Sequence, residues 1–417
     1  MNIQISSLKL KGIVLACLFA FCACDELFSP DEPDNPITNE HGTGTETDPF
    51  KVANVDDLKR VGSGKDGPGG LKWGISNHYK QVAPIDLIGE KNWTPICSTI
   101  PGLTGSYDGD GYTISNLTIV EDKDNYSGLF KDVAGTVTNV RLTKVNISGK
   151  FYVGSVAGRV HVSGKIDHCF IDDFSITGES VVGGVVGHSG NLAYESIRST
   201  IRNCIVSNGT VLCTDYGCGG GIAGSNTGTI ENCYAAVYVS GTDAIGGVVG
   251  NNRGVVQYCY ATGNITAEGV NAYMEDEEGQ FVGGIAGANI GSTDPHAGTI
   301  QNCVALNREV KRTGVNVLPP QIGRIVGANG IDGKSLNNYA RPDMTLTSNA
   351  TAVSVGDMAL TSIHGANVSS ADYNGANSGT WWSGTAGFPS SSWDFASNRL
   401  PHLQGFGELT QTPAVTP

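Results

Sequence analysis

A block of glycines bounded by small apolar residues recurs along this chain, and an isoleucine-x-asparagine-cysteine tetrad follows each copy. The blocks run Val153–Gly158, Val182–Gly187, Gly220–Gly224, Ile245–Gly250 and Val282–Gly287. The tetrads run Ile166–Cys169, Ile201–Cys204, Ile230–Cys233, Val256–Cys259 and Ile300–Cys303, with His168 and Tyr258 in the asparagine position of two of them. Repetition at roughly 26 to 40 residues is the mark of a solenoid, in which no unit can bury its apolar face alone and each packs on its neighbours.

The unit Ile230–Gly250 shows the local structure most plainly. Cys233, Ala235, Val237 and Val239 fall on one side, and Tyr234, Ala236, Tyr238 and Ser240 on the other. That period of two is a half-buried strand, and helical spacing fails. Each unit then supplies a strand at the glycine block, a strand opening at the isoleucine, a bend at the asparagine and a third strand. Three short strands in so few residues make one coil of a parallel β-helix, with coils about 4.8 Å apart. The expected fold is therefore all-β, with a cap at each end. Longer units carry their surplus as loops at His188–Ser199, Gly269–Gln280, Ile290–Ala297 and Arg308–Pro320.

Cys169, Cys204, Cys233, Cys259 and Cys303 share one phase of the repeat. A free thiol behaves as a small apolar group, so they read as an inward stack. A disulfide or metal ladder fits poorly, because no Cys-x-x-Cys occurs among them and in-register strands hold the Cβ vectors side by side. Cys213 and Cys218 flank a short loop and are candidates for a local disulfide. Asn139, Asn203, Asn232, Asn302 and, at the far end, Asn338 sit between inward residues where the chain must bend. Asparagine tolerates the left-handed conformation, and stacked amides can bond from coil to coil. The glycine blocks supply turns. They lack the Lys-Ser/Thr and the following helix of a phosphate-binding loop.

The two ends differ in kind from the middle. Residues 1–23 read as a signal peptide, with Lys9 and Lys11 before the apolar run Gly12–Phe21, which is too short for a stable transmembrane helix. Cys24, after Ala23 and before Asp25 and Glu26, resembles a bacterial lipoprotein acceptor. That resemblance implies cleavage before Cys24 and its acylation, which places the chain at the outer membrane or cell surface of a Gram-negative bacterium. Residues 24–47 form an acidic, proline-containing tether, and about twenty extended residues reach about 60 Å. Removing the leader takes away two lysines and no acid, so the formal charge moves from −14 to −16. So acidic a chain has no electrostatic case for nucleic acid.

Residues 48–120 read as an N-terminal cap and first coils, including a strand at Asp48–Val52 and a short helix at Asn54–Val61 opened by an asparagine cap. Residues 121–345 hold the repeats, and 346–417 a last coil and cap. The cap gathers Trp381, Trp382, Trp393 and Phe395, which suit an end plug or a carbohydrate platform.

Gly283–Gly287 with Gly298–Cys303, Gly228–Ala235, and Cys259–Gly263 together resemble the GLUG repeat family. Resemblance to that family implies a right-handed β-helical surface domain of the kind found in adhesin-like Bacteroidetes lipoproteins and beside IgA-cleaving metallopeptidases. It transfers no catalytic residue, because the repeat has none.

Chemistry is sparse in the residues themselves. There is no His-Glu-x-x-His. Asp172 and Asp173 are adjacent and point to opposite faces of a strand, and Asp167, Asp215 and Asp243 fall at different phases, so no carboxylate pair for glycan cleavage emerges. Glu275–Glu278 reads as a solvated acidic loop rather than a calcium site. The expectation is a non-enzymatic, adhesin-like protein without cofactor or metal. It would bind a glycan or host matrix ligand through Tyr194, Tyr216, Tyr273, Trp381 and Trp382. A β-helical lyase or glycosidase, or a purely structural coat protein, are the alternatives.

Overall fold

The computed structural model describes residues 40–120, 125–190, 198–215, 217–268, 280–290, 297–314 and 321–406. Strands dominate, and almost all pair in parallel between successive coils. The chain is a parallel β-helix. In one coil the strands are Ala244–Gly246, Val249–Asn252, Val255–Gln257 and Tyr260–Ala261 with its continuation Ile265–Glu268. Each stacks in register on its counterparts, as in Ile201↔Ile230↔Val256↔Ile300.

The coil thus has four sides where the sequence suggested three. The glycine block is a corner between two strands rather than one strand, and the reason is space. A Cβ on Gly246 would lie 2.1 Å from the carbonyl oxygen of Val249, and one on Gly247 would lie 2.1 Å from that of Gly284 in the next coil.

The five cysteines of the repeat form the expected inward row. All are fully buried free thiols. Each donates its S–H to the carbonyl two residues earlier, at 3.5 Å for Cys169, 3.1 Å for Cys204, 3.2 Å for Cys233 and Cys259, and 3.3 Å for Cys303. Carbonyl oxygens this close would repel a thiolate and accept from a thiol, so burial and these acceptors together favour the protonated form along the row. Cys213 and Cys218 are likewise free and buried, so the candidate local disulfide between them is not formed. The Cys213 thiol donates to the Ser180 carbonyl at 2.9 Å.

Asn139, Asn203, Asn232 and Asn302 occupy the left-handed region at φ between 52° and 55°, as do His168 and Tyr258 in the same phase. At the last repeat it is Asn337 that bends, at φ 53°. Asn338 instead continues the cysteine row, with its side-chain oxygen accepting from the Cys303 amide at 2.9 Å. Nor do the bend asparagines bond to one another. Asn139 and Asn203 donate to Asp108 and Asp167, and Asn302 to the carbonyl of Ala386. The amide ladder that does run from coil to coil is a different one: Asn226, Asn252, Asn289 and Asn329 are joined in sequence at 2.9 Å. The first three are fully buried, so the satisfied amides close one corner of the interior.

The N-terminal cap follows the sequence closely. The strand is Phe50–Val52 and the helix Val55–Arg60. Asn54 caps the helix by accepting from the Asp57 amide at 3.0 Å, and the Asp57 carboxylate accepts from the Ala53 amide at 3.1 Å. Of the expected loops, the described parts include Glu309–Thr313, which is a strand in register with Ile265–Glu268.

At the opposite end Arg324 stands where earlier repeats carry the second glycine. Its side chain is 1 % exposed and donates to the carbonyls of His364, Arg341 and Gly365 and to the Asn367 amide oxygen. It closes the last coil by satisfying oxygens that would otherwise have no further coil to bond.

The aromatic C-terminal segment is not the end plug that the sequence suggested. It runs back along the outside of the helix as a strap. The Tyr339 hydroxyl lies 3.4 Å from the Thr385 carbonyl, Trp393 donates to Asn232, Tyr260 to the Pro401 carbonyl, and Arg141 to the Phe406 carbonyl, so the strap runs from the Tyr339 coil back to the Arg141 coil, folding on itself where Trp393–Asp394 pairs with His402–Leu403. Beneath it lies an outward row in strand register, Phe170↔Ile205↔Tyr234↔Tyr260↔Val304↔Tyr339. Burying that apolar row against Trp382, Phe388 and Trp393 is what holds the strap in place.

Candidate functional site

Where the strap reaches Phe406, the track of left-handed turns continues uncovered. A groove of about 370 Å³ opens there, lined by Asp110, Gly111, Asn139, Arg141 and His168 from the coils and by Gly405 and Phe406 from the strap. Every side chain in it is held by a neighbour. Arg141 Nη2 donates to the Phe406 carbonyl at 3.0 Å, Asp110 pairs with Lys80 at 3.2 Å, and Asn139 donates to Asp108 at 2.9 Å.

His168 is the most constrained of these. Its Nδ1 lies 2.7 Å from Asp167 Oδ1. Asp167 is buried and also receives Asn203 Nδ2 at 2.8 Å, Arg202 Nε at 2.8 Å and Arg202 Nη2 at 2.7 Å. Burial alone would raise its carboxyl, but donation from His168, Arg202 and Asn203 outweighs this and holds it well below the usual carboxylate range. An ionised Asp167 accepts, so Nδ1 carries the proton and a neutral ring is left with an acceptor at Nε2. That atom faces the strap end, where a Cβ on Gly405 would come within 3.3 Å of it. Gly405 also has φ 87°, and on both counts the strap needs glycine here to lie against the ring.

The groove therefore combines a tautomer-fixed imidazole, a guanidinium, a carboxylate and an amide beside an aromatic edge. Such a set can hydrogen-bond a polyhydroxylated or charged ligand. The Asp167–His168 pair additionally has the geometry of an oriented general base.

The candidate residues read from the sequence are placed differently. Tyr194, Tyr216, Tyr273, Glu275–Glu278 and Cys24 lie outside the described residues. Trp382 is fully buried, with its indole N–H on the Tyr373 carbonyl at 2.8 Å, and Trp381 packs edge-on to Tyr339 and Trp382. Trp382 is thus a strap anchor, which corrects its reading as part of an open carbohydrate platform, while Trp381 packs half-buried beside it. Asp172 accepts from Ser207 and Asn208, both at 2.7 Å, and Asp173 occupies a left-handed bend at φ 53°, so the two form no pair. Sequence reasoning missed Asp110, Arg141, His168 and Phe406. The signal available was His168 itself, a titratable residue in an asparagine position.

No family model matches the chain. Among curated proteins it is 31% identical over 159 residues to halomucin of Haloquadratum walsbyi (strain DSM 16790 / HBSQ001), a match covering 35% of this chain but only 2% of halomucin. Among solved structures it resembles that of a Bacteroides ovatus protein described as a candidate immunoglobulin A1 protease. The TM-score is 0.55 at 22% identity, over 87% of this chain and 94% of the other. It also resembles an IgA1 protease, at TM-score 0.50 and 19% identity, over 75% of this chain and 25% of that one. At these identities the likeness establishes the fold. Both neighbours nevertheless bear the name of a peptidase, and this overturns the expectation of a non-enzymatic protein that the sequence reading gave.

Proposed function

We propose that this is a surface β-helical recognition protein of the GLUG-repeat kind, anchored through an acylated Cys24, which captures a glycan or host matrix ligand in the groove at the strap end. The observation that carries this reading is the convergence of Asp110, Asn139, Arg141 and His168 beside Phe406 on a rigid scaffold. Polar groups fixed by their own partners lose little entropy on binding, which favours recognition at such a groove. The test is binding of purified protein to glycan and matrix-protein arrays, followed by titration of the strongest ligand against Arg141→Ala and His168→Ala. Retained folding with about tenfold or greater weakening in either variant supports the reading. Unchanged binding in both refutes the groove.

A second reading is hydrolysis in the same groove. It is favoured by the Asp167–His168 pair at 2.7 Å and by the peptidase names of the structural neighbours. Incubating the array ligands and immunoglobulin A1 with the protein, and following fragments by mass spectrometry, tests it. Cleavage abolished by His168→Ala supports hydrolysis, and intact ligands after prolonged incubation oppose it.

A further inference from the structure

A second concavity lies at the other end of the molecule, between the end of the capping helix and the segment 90–99. Its volume is about 550 Å³. Val61, Trp93, Ile96 and Cys97 give it an apolar floor, and all four are buried. The floor is fixed by close packing: Gly62 lies at φ 66°, where a Cβ would fall 2.3 Å from Cys97 Sγ. The Trp93 indole is tied to the Leu129 carbonyl at 3.4 Å.

The rim is polar and exposed. Thr94, Ser98 and Thr99 present hydroxyls to solvent, and Lys59, Lys65 and Glu90 present charges. Lys59 and Glu90 neutralise each other through a contact of 2.6 Å. Among the described residues no carboxylate pairs with Lys65, so the lining carries one net positive charge. This stands out in a chain whose formal charge is −14. A concave, low-dielectric wall focuses such a charge and draws an anion to it.

We propose that this N-terminal cavity is a separate binding site for a carboxylated sugar, with Lys65 holding the carboxylate and the hydroxyl rim bonding the ring oxygens above a rigid, closely packed floor. The inference shares with the proposed function only the premise of a glycan-binding protein, and it uses none of the residues of the strap-end groove. The exposed hydroxyls of Thr94, Ser98 and Thr99 argue for a sugar over a bare inorganic anion, which would leave most of them without a ligand partner.

The test is calorimetric titration of the protein with oligogalacturonate, sialyllactose and a neutral cello-oligosaccharide, using wild type, Lys65→Ala and Arg141→Ala. Circular dichroism melts serve as the folding control. Binding of either acidic probe over the neutral one, weakened by added salt and reduced about tenfold or more by Lys65→Ala but not by Arg141→Ala, is the expected result. Preference for one acidic probe identifies uronate or sialate as the source. Equal binding of the neutral sugar, or acidic-sugar binding indifferent to Lys65, overturns the proposal. Loss in Arg141→Ala alone overturns it while leaving the strap-end groove standing.

Discussion

Trp393 donates its indole N–H to the side-chain oxygen of Asn232 at 3.0 Å, across 161 positions of sequence. The bond joins the strap to a left-handed turn of the repeat, and both groups are buried. Trp393→Phe keeps most of the apolar contact but leaves the Asn232 oxygen without its donor, at a cost of about 1–3 kcal/mol. Trp393→Ala should cost about 3–5 kcal/mol by opening a cavity against Tyr260 and Phe388. Urea denaturation followed by tryptophan fluorescence gives both values, and equal, negligible shifts would show that the strap is not held this way.

Arg324 gives a less intuitive expectation. Replacing it with glycine restores the pattern of the earlier repeats, yet it removes a guanidinium that serves three backbone carbonyls and the Asn367 side chain. Arg324→Gly should therefore destabilise the protein by about 3 kcal/mol or more, since each unsatisfied buried acceptor costs about 1–3 kcal/mol. A neutral or raised melting temperature would mean that the end of the helix is closed by other groups.

Two groups, one buried and one half-buried, make stability depend on pH in separate windows. Burial, and after it the Arg159 guanidinium, push His188 down from 6.5 to about 4. The fold keeps it neutral where the unfolded chain takes up a proton, so stability falls as pH drops from about 6.5 to about 4. Asp167 is depressed instead, so its contribution is present above the ordinary carboxylate value near about 4 and is lost as pH falls below it. His188→Gln should flatten the first decline and Asp167→Asn the second, in denaturation curves collected from pH 3 to 8. An unaltered pH profile in either variant would contradict the assignment.

The eight described cysteines should be inert in the native protein. Burial holds Cys97 and Cys218 up at about 12, and the repeat thiols are engaged as donors. Iodoacetamide should label these positions only after unfolding, and reduction should leave the mass of the 213–218 region unchanged. Native labelling at Cys204 or Cys233 would contradict a closed stack.

What could be read from the sequence were the features that recur at one phase: the thiol row, the left-handed turns and the parallel stacking all follow from strict repetition. The Asn226–Asn252–Asn289–Asn329 ladder carried a comparable signal, a Gly-x-Asn that recurs at the end of the glycine blocks from Gly224 onward, but the more conspicuous asparagines of the tetrads drew the reading instead. The strap was harder. Its contacts span from 46 positions, Tyr339 to Thr385, to 265, Arg141 to Phe406, and no local period encodes them. Its one trace was the outward row of Tyr234, Tyr260 and Tyr339, where a solvated face would carry polar groups. The groove inherits that difficulty, because one wall of it, Gly405 and Phe406, is brought back from the far end of the chain.

The most direct measurement concerns where the strap ends, since the groove exists only if Phe406 returns to the coil of Arg141. Spin labels at Tyr112→Cys and Gln404→Cys should lie within about 15 Å, while Gln404→Cys and Lys334→Cys should lie about 20 Å or more apart, as about five strand spacings of 4.8 Å from the His168 coil require. The reverse ordering, with Gln404 near Lys334 and far from Tyr112, would place the segment over the end of the helix and remove the groove.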